Sequence, residues 1–209
     1  MVAENLGVEL SEVSIVEVYD SVVKALSGVL DTSGVVGENI QARIRGLLLM
    51  AFANSLGYAV LCPANKSEIA VGYNTLYGDT VGALAPIGDL LKEEVYELAR
   101  WINESAEKEL IPRSVMERPP TAELRPVARD DQDLPPYPQL DPLLRAYLVD
   151  NLPLQRLLRS FPKTLVRETI RRIHRSEYKR KQLPPTLKVS PKAFGIGRRY
   201  PLTYSFREI

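Results

Sequence analysis

Polar and charged side chains that could bind a ligand are concentrated between positions 65 and 92 of this chain. An apolar run at residues 58–62 leads into the tetrad N-K-S-E at residues 65–68, and Asp79 and Lys92 follow. The run is too short for another helix and is bounded by a glycine and a proline, which predicts a buried strand. A strand that leads into a polar turn, which then opens a helix, is where open α/β sheets bind ligands. The sequence therefore predicts a ligand site around this tetrad.

A second group of candidate binding residues lies on a predicted helix at residues 38–56. Its apolar residues recur on one face, which we expect to be buried: Ile40, Ile44, Leu47, Leu48 and Ala51. Arg43 and Arg45 lie off that stripe and are free to contact a ligand or a partner. Taken alone, two solvated arginines on a helix would be the commoner outcome.

The charge of the chain is unevenly distributed, although the formal net charge is only +1. Residues 1–62 carry seven acidic and three basic side chains, and residues 63–150 carry sixteen and nine. Residues 151–209 carry three acidic and fifteen basic side chains. A segment this basic attracts an anionic partner, which could be an acidic protein surface, the phosphates of a ligand or a nucleic acid.

Composition excludes several classes of protein. One cysteine cannot form an internal disulfide framework, and one histidine makes a histidine-based metal site improbable. The longest apolar run, at residues 47–53, is seven residues long, against the roughly 18 that a membrane-spanning helix needs. No signal-peptide pattern follows Met1. We expect a cytoplasmic protein without a membrane segment.

The elements that must position these residues are predicted to be mostly helical. We expect a short strand at residues 13–16, a proline-rich loop at residues 117–138 and an extended C-terminal tail. Helices are predicted at residues 18–26, 67–73, 89–103 and 163–180, with Asp89 as the cap of the third. A further helix is predicted to start at Asp141 and to continue past Tyr147. Two predicted strands do not make a stable α/β domain. The sequence thus looks like the back half of a larger sheet, with a partial α/β domain at residues 1–150. Residues 151–209 would form a basic C-terminal helix and tail of the same domain.

Four segments, in this order and spacing, resemble the synthetase domain of NAD synthetases, most closely its C-terminal half in the glutamine-dependent branch. They are residues 38–46 (E-N-I-Q-A-R-I-R-G), 65–68, 75–92 (beginning T-L-Y-G-D) and 177–185 (E-Y-K-R-K-Q-L-P-P). The resemblance implies an α/β fold, a Rossmann-like sheet of the adenine-nucleotide α-hydrolase type with flanking helices. It also implies that ATP activates deamido-NAD as an adenylate and that ammonia then displaces AMP to give NAD. A fused glutaminase domain supplies the ammonia in glutamine-dependent members.

The resemblance implies a role for individual residues as well. Those expected to bind deamido-NAD are Asn39, Arg43, Glu68 and Lys179. Those expected at the ATP are Pro63, Lys92 and Thr121. Glu68 would also hold Mg²⁺, because a hard cation needs only one or two carboxylates when phosphates and waters complete its ligands. Each has a plainer interpretation: Glu68 as an acid favoured in a first turn, Lys92 as a solvated lysine, Thr121 as a loop hydroxyl and Lys179 as one of many solvated cations.

The chain departs from the family pattern in two places. The phosphate-cradling loop S-G-G-x-D-S occurs nowhere in the sequence, and C-P-A stands at residues 62–64 where the family has G-T-G. Pro63 offers neither a hydroxyl nor a backbone N–H to ATP. We therefore expect that the chain on its own makes no NAD. The resemblance further implies a homodimer with the helix at residues 38–56 in its interface.

Two other functions remain open. One is a non-catalytic nucleic-acid-binding or interaction module that uses residues 151–209. Only Phe161 and Tyr178 offer aromatic rings between residues 151 and 190, so bases would find little to stack on, and we expect no nucleic-acid partner. The other is an ATP-pyrophosphatase ligase with a different substrate, against which the segment at residues 38–46 argues. The sequence leaves open whether glutamine or free ammonia donates the nitrogen.

Overall fold

The computed structural model describes residues 1–118 and 134–203, which fold mainly into helices. They are α1 Val2–Leu6, α2 Val16–Leu26, α3 Val35–Leu56, α4 Lys66–Val71, α5 Lys92–Ser105, α6 Arg113–Glu117, α7 Tyr137–Leu144 continued by a π-helical turn at Arg145–Val149, α8 Leu154–Ser160, α9 Lys163–Arg175 and α10 Glu177–Arg180. None of the helices in these ranges is both long and apolar enough to cross a bilayer.

Extended segments lie side by side in parallel but do not build the predicted sheet. Leu61 bridges to Leu84, and Ala85 bridges to Thr186. The Cys62 amide donates to the Leu84 carbonyl at 2.8 Å, and the Ala85 amide donates to the Pro185 carbonyl at 2.9 Å. In the described ranges these pairings remain single bridges, so the sheet is not confirmed. The run at residues 58–62 is buried only in part, since Cys62 is 0% exposed whereas Leu61 is 57% exposed.

The strand predicted at residues 13–16 is wrong. Helix α2 begins at Val16, whose amide donates to the Ser14 hydroxyl at 3.3 Å. Val13 is 52% exposed, and among the described residues no segment pairs with it. A lone strand leaves its backbone groups without ladder partners, which explains why the local β-propensity is overridden.

The buried side of α3 differs from the predicted one. Its buried residues are mostly small: Gly37, Ala42, Ile44, Gly46 and Ala53. Of the predicted apolar face only Ile44 is fully buried, and Leu47 is 63% exposed. The reason is that α3 approaches its neighbour closely, which selects small residues at the contact and turns the leucines outward.

The core of the molecule surrounds the short helix α4, against which α5, α7 and α9 pack. Ile69 and Ala70 of α4 are fully buried together with Leu140, Leu144 and Ile173. The apolar face predicted for the last helix is confirmed, since α9 buries Leu165, Val166, Thr169, Ile170 and Ile173. The predicted helix at residues 163–180 is divided at Ser176 into α9 and α10.

Two predicted helix starts are wrong for a shared reason. Helix α5 begins at Lys92 rather than at Asp89, and α7 begins at Tyr137, so that Pro142 lies inside it. The carboxylates of Asp89 and Asp141 were expected to cap their own helices. Both instead bind groups far away in sequence, at the site described next.

Candidate functional site

The turn at residues 72–79 is the point on which three predicted binding residues converge. Asn39 accepts a hydrogen bond from the Thr75 hydroxyl at 2.7 Å. The Arg43 Nε donates to the Leu76 carbonyl at 3.2 Å. The Lys179 ammonium donates to the carbonyls of Gly72 and Asn74 at 2.8 and 2.6 Å. Residues separated by some 140 positions in sequence therefore surround one turn.

Small residues allow α3 to lie directly on this turn. A Cβ atom on Gly46 would come within 2.8 Å of the Tyr77 carbonyl oxygen, and one on Gly78 within 2.8 Å of the Ala42 Cβ. Such separations are closer than real Cβ atoms reach, so neither glycine can be replaced without moving the helix. Tyr77 itself adopts a left-handed backbone with φ 65. The close approach is what brings Asn39 and Arg43 to the turn.

The electrostatics of the turn favour an anionic ligand. Burial lowers the pKa of Lys179, nearby Arg43 lowers it further, and Asp79 opposes both effects. The Asp79 carboxylate also closes the turn by accepting the Thr75 amide at 2.8 Å. Lys179 is partly buried whereas Arg43 is exposed, so the cost of lost water falls on Lys179, and an incoming anion would reduce that cost.

Lys92, predicted for ATP, and Glu68, predicted for deamido-NAD and Mg²⁺, lie together at the opposite end of α4. Asn65 caps this helix, accepting the Glu68 amide at 3.0 Å, while the Glu68 carboxylate accepts the Asn65 amide at 3.2 Å. The Lys92 ammonium lies 3.4 Å from the Glu68 carboxylate, and both side chains are about one-fifth exposed, at 20% and 21%. A six-residue helix is about 9 Å long, so the two groups of candidate residues are one short helix apart.

Glu68 fits a magnesium ion in one specific mode. Burial raises the pKa of its carboxyl, although Lys92 and Asn65 lower it. Within residues 1–118 and 134–203 no three histidine, cysteine, aspartate or glutamate side chains form a group that could hold a metal. A single carboxylate does not make a protein cage, but it suits a Mg²⁺ that keeps waters and substrate phosphates as its other ligands.

The start of α5 is held by two side chains of other elements. The Lys92 amide donates to the Ser67 hydroxyl at 3.0 Å, and the Glu93 amide donates to Asp141 at 2.9 Å. The Ser67 hydroxyl donates to the other oxygen of Asp141 at 2.5 Å. Burial raises the pKa of Asp141 in spite of these bonds. Together these contacts fix the position of Lys92 relative to Glu68.

A buried ion pair ties the C-terminal tail to the same place. The Lys66 ammonium lies 2.7 Å from the Asp89 carboxylate, and the two side chains are 1% and 0% exposed. Asp89 also accepts the backbone amides of Val189 and Ser190 at 2.9 and 2.6 Å. Although burial opposes ionisation, the hydrogen bonds from Lys66, Ser190 and Val189 hold the pKa of Asp89 below its usual value.

Sequence reasoning missed these supporting residues. Lys66 stands inside the recognised tetrad, so its position was visible, but its partner lies 23 residues away. Arg180 was also missed: it is buried, pairs with Glu177 at 2.9 Å, and donates to the carbonyls of Ile69 and Ala70 at the end of α4. No local pattern distinguishes such an arginine from the solvated ones around it.

The two remaining predicted residues are not brought to this constellation by any described contact. Pro63 is exposed between the buried residues Cys62 and Ala64. Thr121 lies outside the described residues. The structure thus brings together Asn39, Arg43 and Lys179 at one end of α4, and Glu68 and Lys92 at the other.

The fold of the chain is similar to that of solved NAD synthetases. A solved glutamine-dependent NAD(+) synthetase from Cytophaga hutchinsonii matches the fold with a TM-score of 0.72 at 21% identity, covering 98% of this chain and 35% of that one. The Acinetobacter baumannii glutamine-dependent NAD+ synthetase, solved in complex with adenosine diphosphate, is 36% identical with a TM-score of 0.55, covering 96% of this chain and 36% of that one.

Sequence comparison agrees with the fold. The family described as NAD synthase matches residues 1–183, and the chain belongs to that family. The curated glutamine-dependent NAD(+) synthetase of Thermotoga maritima is 44% identical over 209 residues, covering 99% of this chain and 36% of that protein. The chain thus spans about a third of the length of the relatives it matches. Membership of a family of carbon–nitrogen ligases confirms the resemblance found in the sequence.

Proposed function

We propose that this chain is the C-terminal portion of an enzyme that amidates deamido-NAD to NAD at the expense of ATP. The substrate carboxylate attacks the α-phosphate of ATP, so that an acyl-adenylate forms and pyrophosphate leaves. Ammonia then attacks the activated carbonyl, loses a proton and expels AMP. The observation that carries the proposal is the placement of two polar groups at the two ends of α4, as a dinucleotide and a triphosphate would require.

In this proposal the turn at residues 72–79 holds the dinucleotide. Lys179 and Arg43 supply positive charge to its anionic groups, and Asn39 offers an amide beside Thr75. In the structure Lys179 and Arg43 donate to backbone carbonyls of the turn. Binding would exchange some of these bonds for charge-assisted ones, which are stronger.

The other end of α4 would hold the ATP. Lys92 is a compact point charge suited to phosphate oxygens, and Ser67 and Asp141 keep the helix start beneath it in place. Glu68 would be a ligand of Mg²⁺, which when bound neutralises charge on the triphosphate. The positions of Pro63 and Thr121 at this nucleotide are part of the same proposal. So is a cytoplasmic location.

The remaining partners are a second copy of the chain and a source of ammonia. The exposed apolar residues of α3 support a homodimer built on that helix: Leu47, Leu49, Met50, Phe52 and Leu56. Exposed patches of this kind mark interfaces in soluble proteins. Relatives whose names state dependence on glutamine support a glutaminase portion as the ammonia source.

Calorimetric titration of the chain with deamido-NAD, with and without Mg-ATP, tests the proposal. Replacing Lys179 by alanine should weaken deamido-NAD binding tenfold to a hundredfold, because one charge-assisted bond contributes roughly 1.5–3 kcal/mol. Lys181→Ala is the matched control, since Lys181 is exposed and lies 3.7 Å from Glu177 rather than at the turn. Equal affinity of the Lys179→Ala variant and the parent chain would refute the assignment.

A further inference from the structure

The exposed side of α9 carries a regular row of positive charges. Lys163, Arg167, Arg171 and Arg175 follow one another at intervals of four residues, and all four are exposed. Four residues of an α-helix rise about 6 Å, so successive charges in the row are about that far apart. Residues at this interval form a continuous ridge along a helix surface.

The row lies on a helix whose other face is buried, and among the described residues its charge is not neutralised by ion pairs. The opposite face of α9 is buried in the core, through residues such as Val166 and Ile170. In the part of the chain that the structure describes, none of the four cations has a carboxylate within ion-pair distance. The ion pairs of this region join Glu177 to Arg180 and Lys181. Glu168 is the one acidic residue of α9.

Three more exposed arginines on α8 and α9 add positive charge to this region, the basic face. Arg156 and Arg159 are exposed on α8, which packs against α9, and Arg172 is exposed beside the row. The chain as a whole has a formal net charge of only +1. An anion attracted to this protein would therefore be attracted by the face itself and not by a general excess of positive charge.

We propose that this basic face, the row on α9 with its flanking arginines, binds the phosphate backbone of double-stranded nucleic acid. A duplex presents phosphates at a regular spacing, which an inclined ridge of cations can follow without reading the bases. The sequence-based expectation of no nucleic-acid partner rested on the scarcity of aromatic rings, and that scarcity argues against single strands, which bind by stacking, but not against a duplex. The face uses none of the residues assigned to deamido-NAD or ATP.

Fluorescence anisotropy of the 209-residue chain with a labelled 24-base-pair duplex of arbitrary sequence tests this inference. Binding should fall steeply as salt rises from 25 to 200 mM. About four phosphate contacts give a slope of about −3.6 in a plot of log affinity against log salt. A single strand of the same length and a polyglutamate peptide should bind much more weakly.

Neutralising the row should abolish most of this binding. The variant Lys163→Gln/Arg167→Gln/Arg171→Gln/Arg175→Gln should lose at least about thirtyfold in affinity at low salt and most of the salt slope. The double variant Arg167→Gln/Arg171→Gln, a smaller change on the exposed surface, should lose about half of the slope. Thermal melting checks that both variants fold, as the buried face of α9 is unchanged.

A matched control removes the same charge elsewhere. Lys24, Arg100, Lys108 and Arg113 are exposed cations outside the face, and replacing all four by glutamine should leave duplex affinity within about threefold. Equal losses in the control and in the row variant would overturn the inference. So would absence of duplex binding at 25 mM salt, or equally tight binding of the single strand or of polyglutamate.

Discussion

Helices α3 and α9 were both predicted to bury one apolar face, yet they are packed very differently. The apolar face of α9 is buried in the core around α4, with Val166 0% and Ile173 0% exposed. On α3 the large apolar residues point outward, with Leu47 63% and Leu56 53% exposed. The close approach of α3 to the turn at residues 72–79 is made instead at Ala42 and Gly46.

The α4–α9 region buries its apolar and charged side chains within the chain, whereas the α2–α3 region leaves apolar side chains exposed to solvent. The α4–α9 region satisfies its buried charges internally, through Lys66–Asp89 and Arg180–Glu177. The α2–α3 region, residues 16–56, has no buried ion pair among the described residues and presents several leucines and Phe52 to solvent. Exposed apolar residues of this kind are typical of an interface, which supports the proposed homodimer.

The largest expected effect of a single substitution falls on the buried ion pair. Lys66→Ala leaves the Asp89 carboxylate buried without its cation, and removing one partner of such a pair typically costs about 3–5 kcal/mol. Urea unfolding followed by circular dichroism would measure it. Lys181→Ala, at a partly exposed pair, should cost about 1 kcal/mol or less. Similar losses for the two lysines would show that burial does not distinguish them.

Truncating one apolar residue in each helix tests the comparison directly. Ile170→Ala should lower the free energy of unfolding by about 2–5 kcal/mol, because it leaves a cavity in the core. Leu47→Ala should change the stability of a monomer by no more than about 0.5 kcal/mol, as exposed sites usually do. Denaturant titration at low protein concentration measures the free energy of unfolding of both variants. A loss at Leu47 as large as that at Ile170 would mean that α3 is as well packed as α9.

The pH dependence of stability should also originate in the α4–α9 region. Burial, with Arg180 and Arg198 nearby, lowers the pKa of His174 from 6.5 to about 4. The unfolded histidine therefore takes up a proton before the folded one does, so stability present above pH 6.5 is lost as pH falls towards 4.

Comparison with His174→Gln isolates this effect in unfolding measurements at several pH values. Burial raises the pKa of both Glu68 and Asp141, so these groups act in the opposite direction and remain in both proteins. The difference in unfolding free energy between parent and variant should narrow between pH 6.5 and 4. If the difference in unfolding free energy between parent and variant stayed constant over this pH range, His174 would not be the source of the pH dependence.

The smallest effect on stability, with a clear effect on assembly, is expected for Phe52→Asp on α3. Phe52 is 41% exposed, so an aspartate there is tolerated by the monomer but opposes burial against a second copy. Light scattering should report a dimer for the parent and a species of 23.4 kDa for the variant. A parent chain that is already monomeric at micromolar concentration would remove the basis for the dimer.

The spacing of apolar residues along the sequence predicted correctly which face of α9 is buried. The buried face of α9 followed from the spacing of Leu165, Val166, Thr169, Ile170 and Ile173. The same rule failed for α3, since which side of a helix is buried depends on what lies against it. The turn at residues 72–79 lies so close to α3 that only a glycine fits at the contact, so Gly46 is buried there and the neighbouring Leu47 is exposed.

Contacts between distant residues could not be predicted in this way. Asp89 has the sequence context of a helix cap, and only the position of residues 189 and 190, 100 or more residues later, makes it the partner of Lys66 and of the tail. The candidate residues were predicted from the order and spacing of the four segments that resemble the family, which requires no knowledge of contacts: Asn39, Arg43, Lys179, Glu68 and Lys92. Their ligands remain proposals.

The carboxylate of Asp89 gives the tail a specific dynamic signature. It accepts the amides of Val189 and Ser190, although Val189 is 66% exposed. Hydrogen exchange at these two amides requires that their hydrogen bonds to the Asp89 carboxylate break. Breaking them also exposes the Lys66 ammonium, which is paired with the same carboxylate. The tail and the start of α4 should therefore open as one cooperative unit, and the two amides should exchange at matching rates far below those of an ordinary exposed strand.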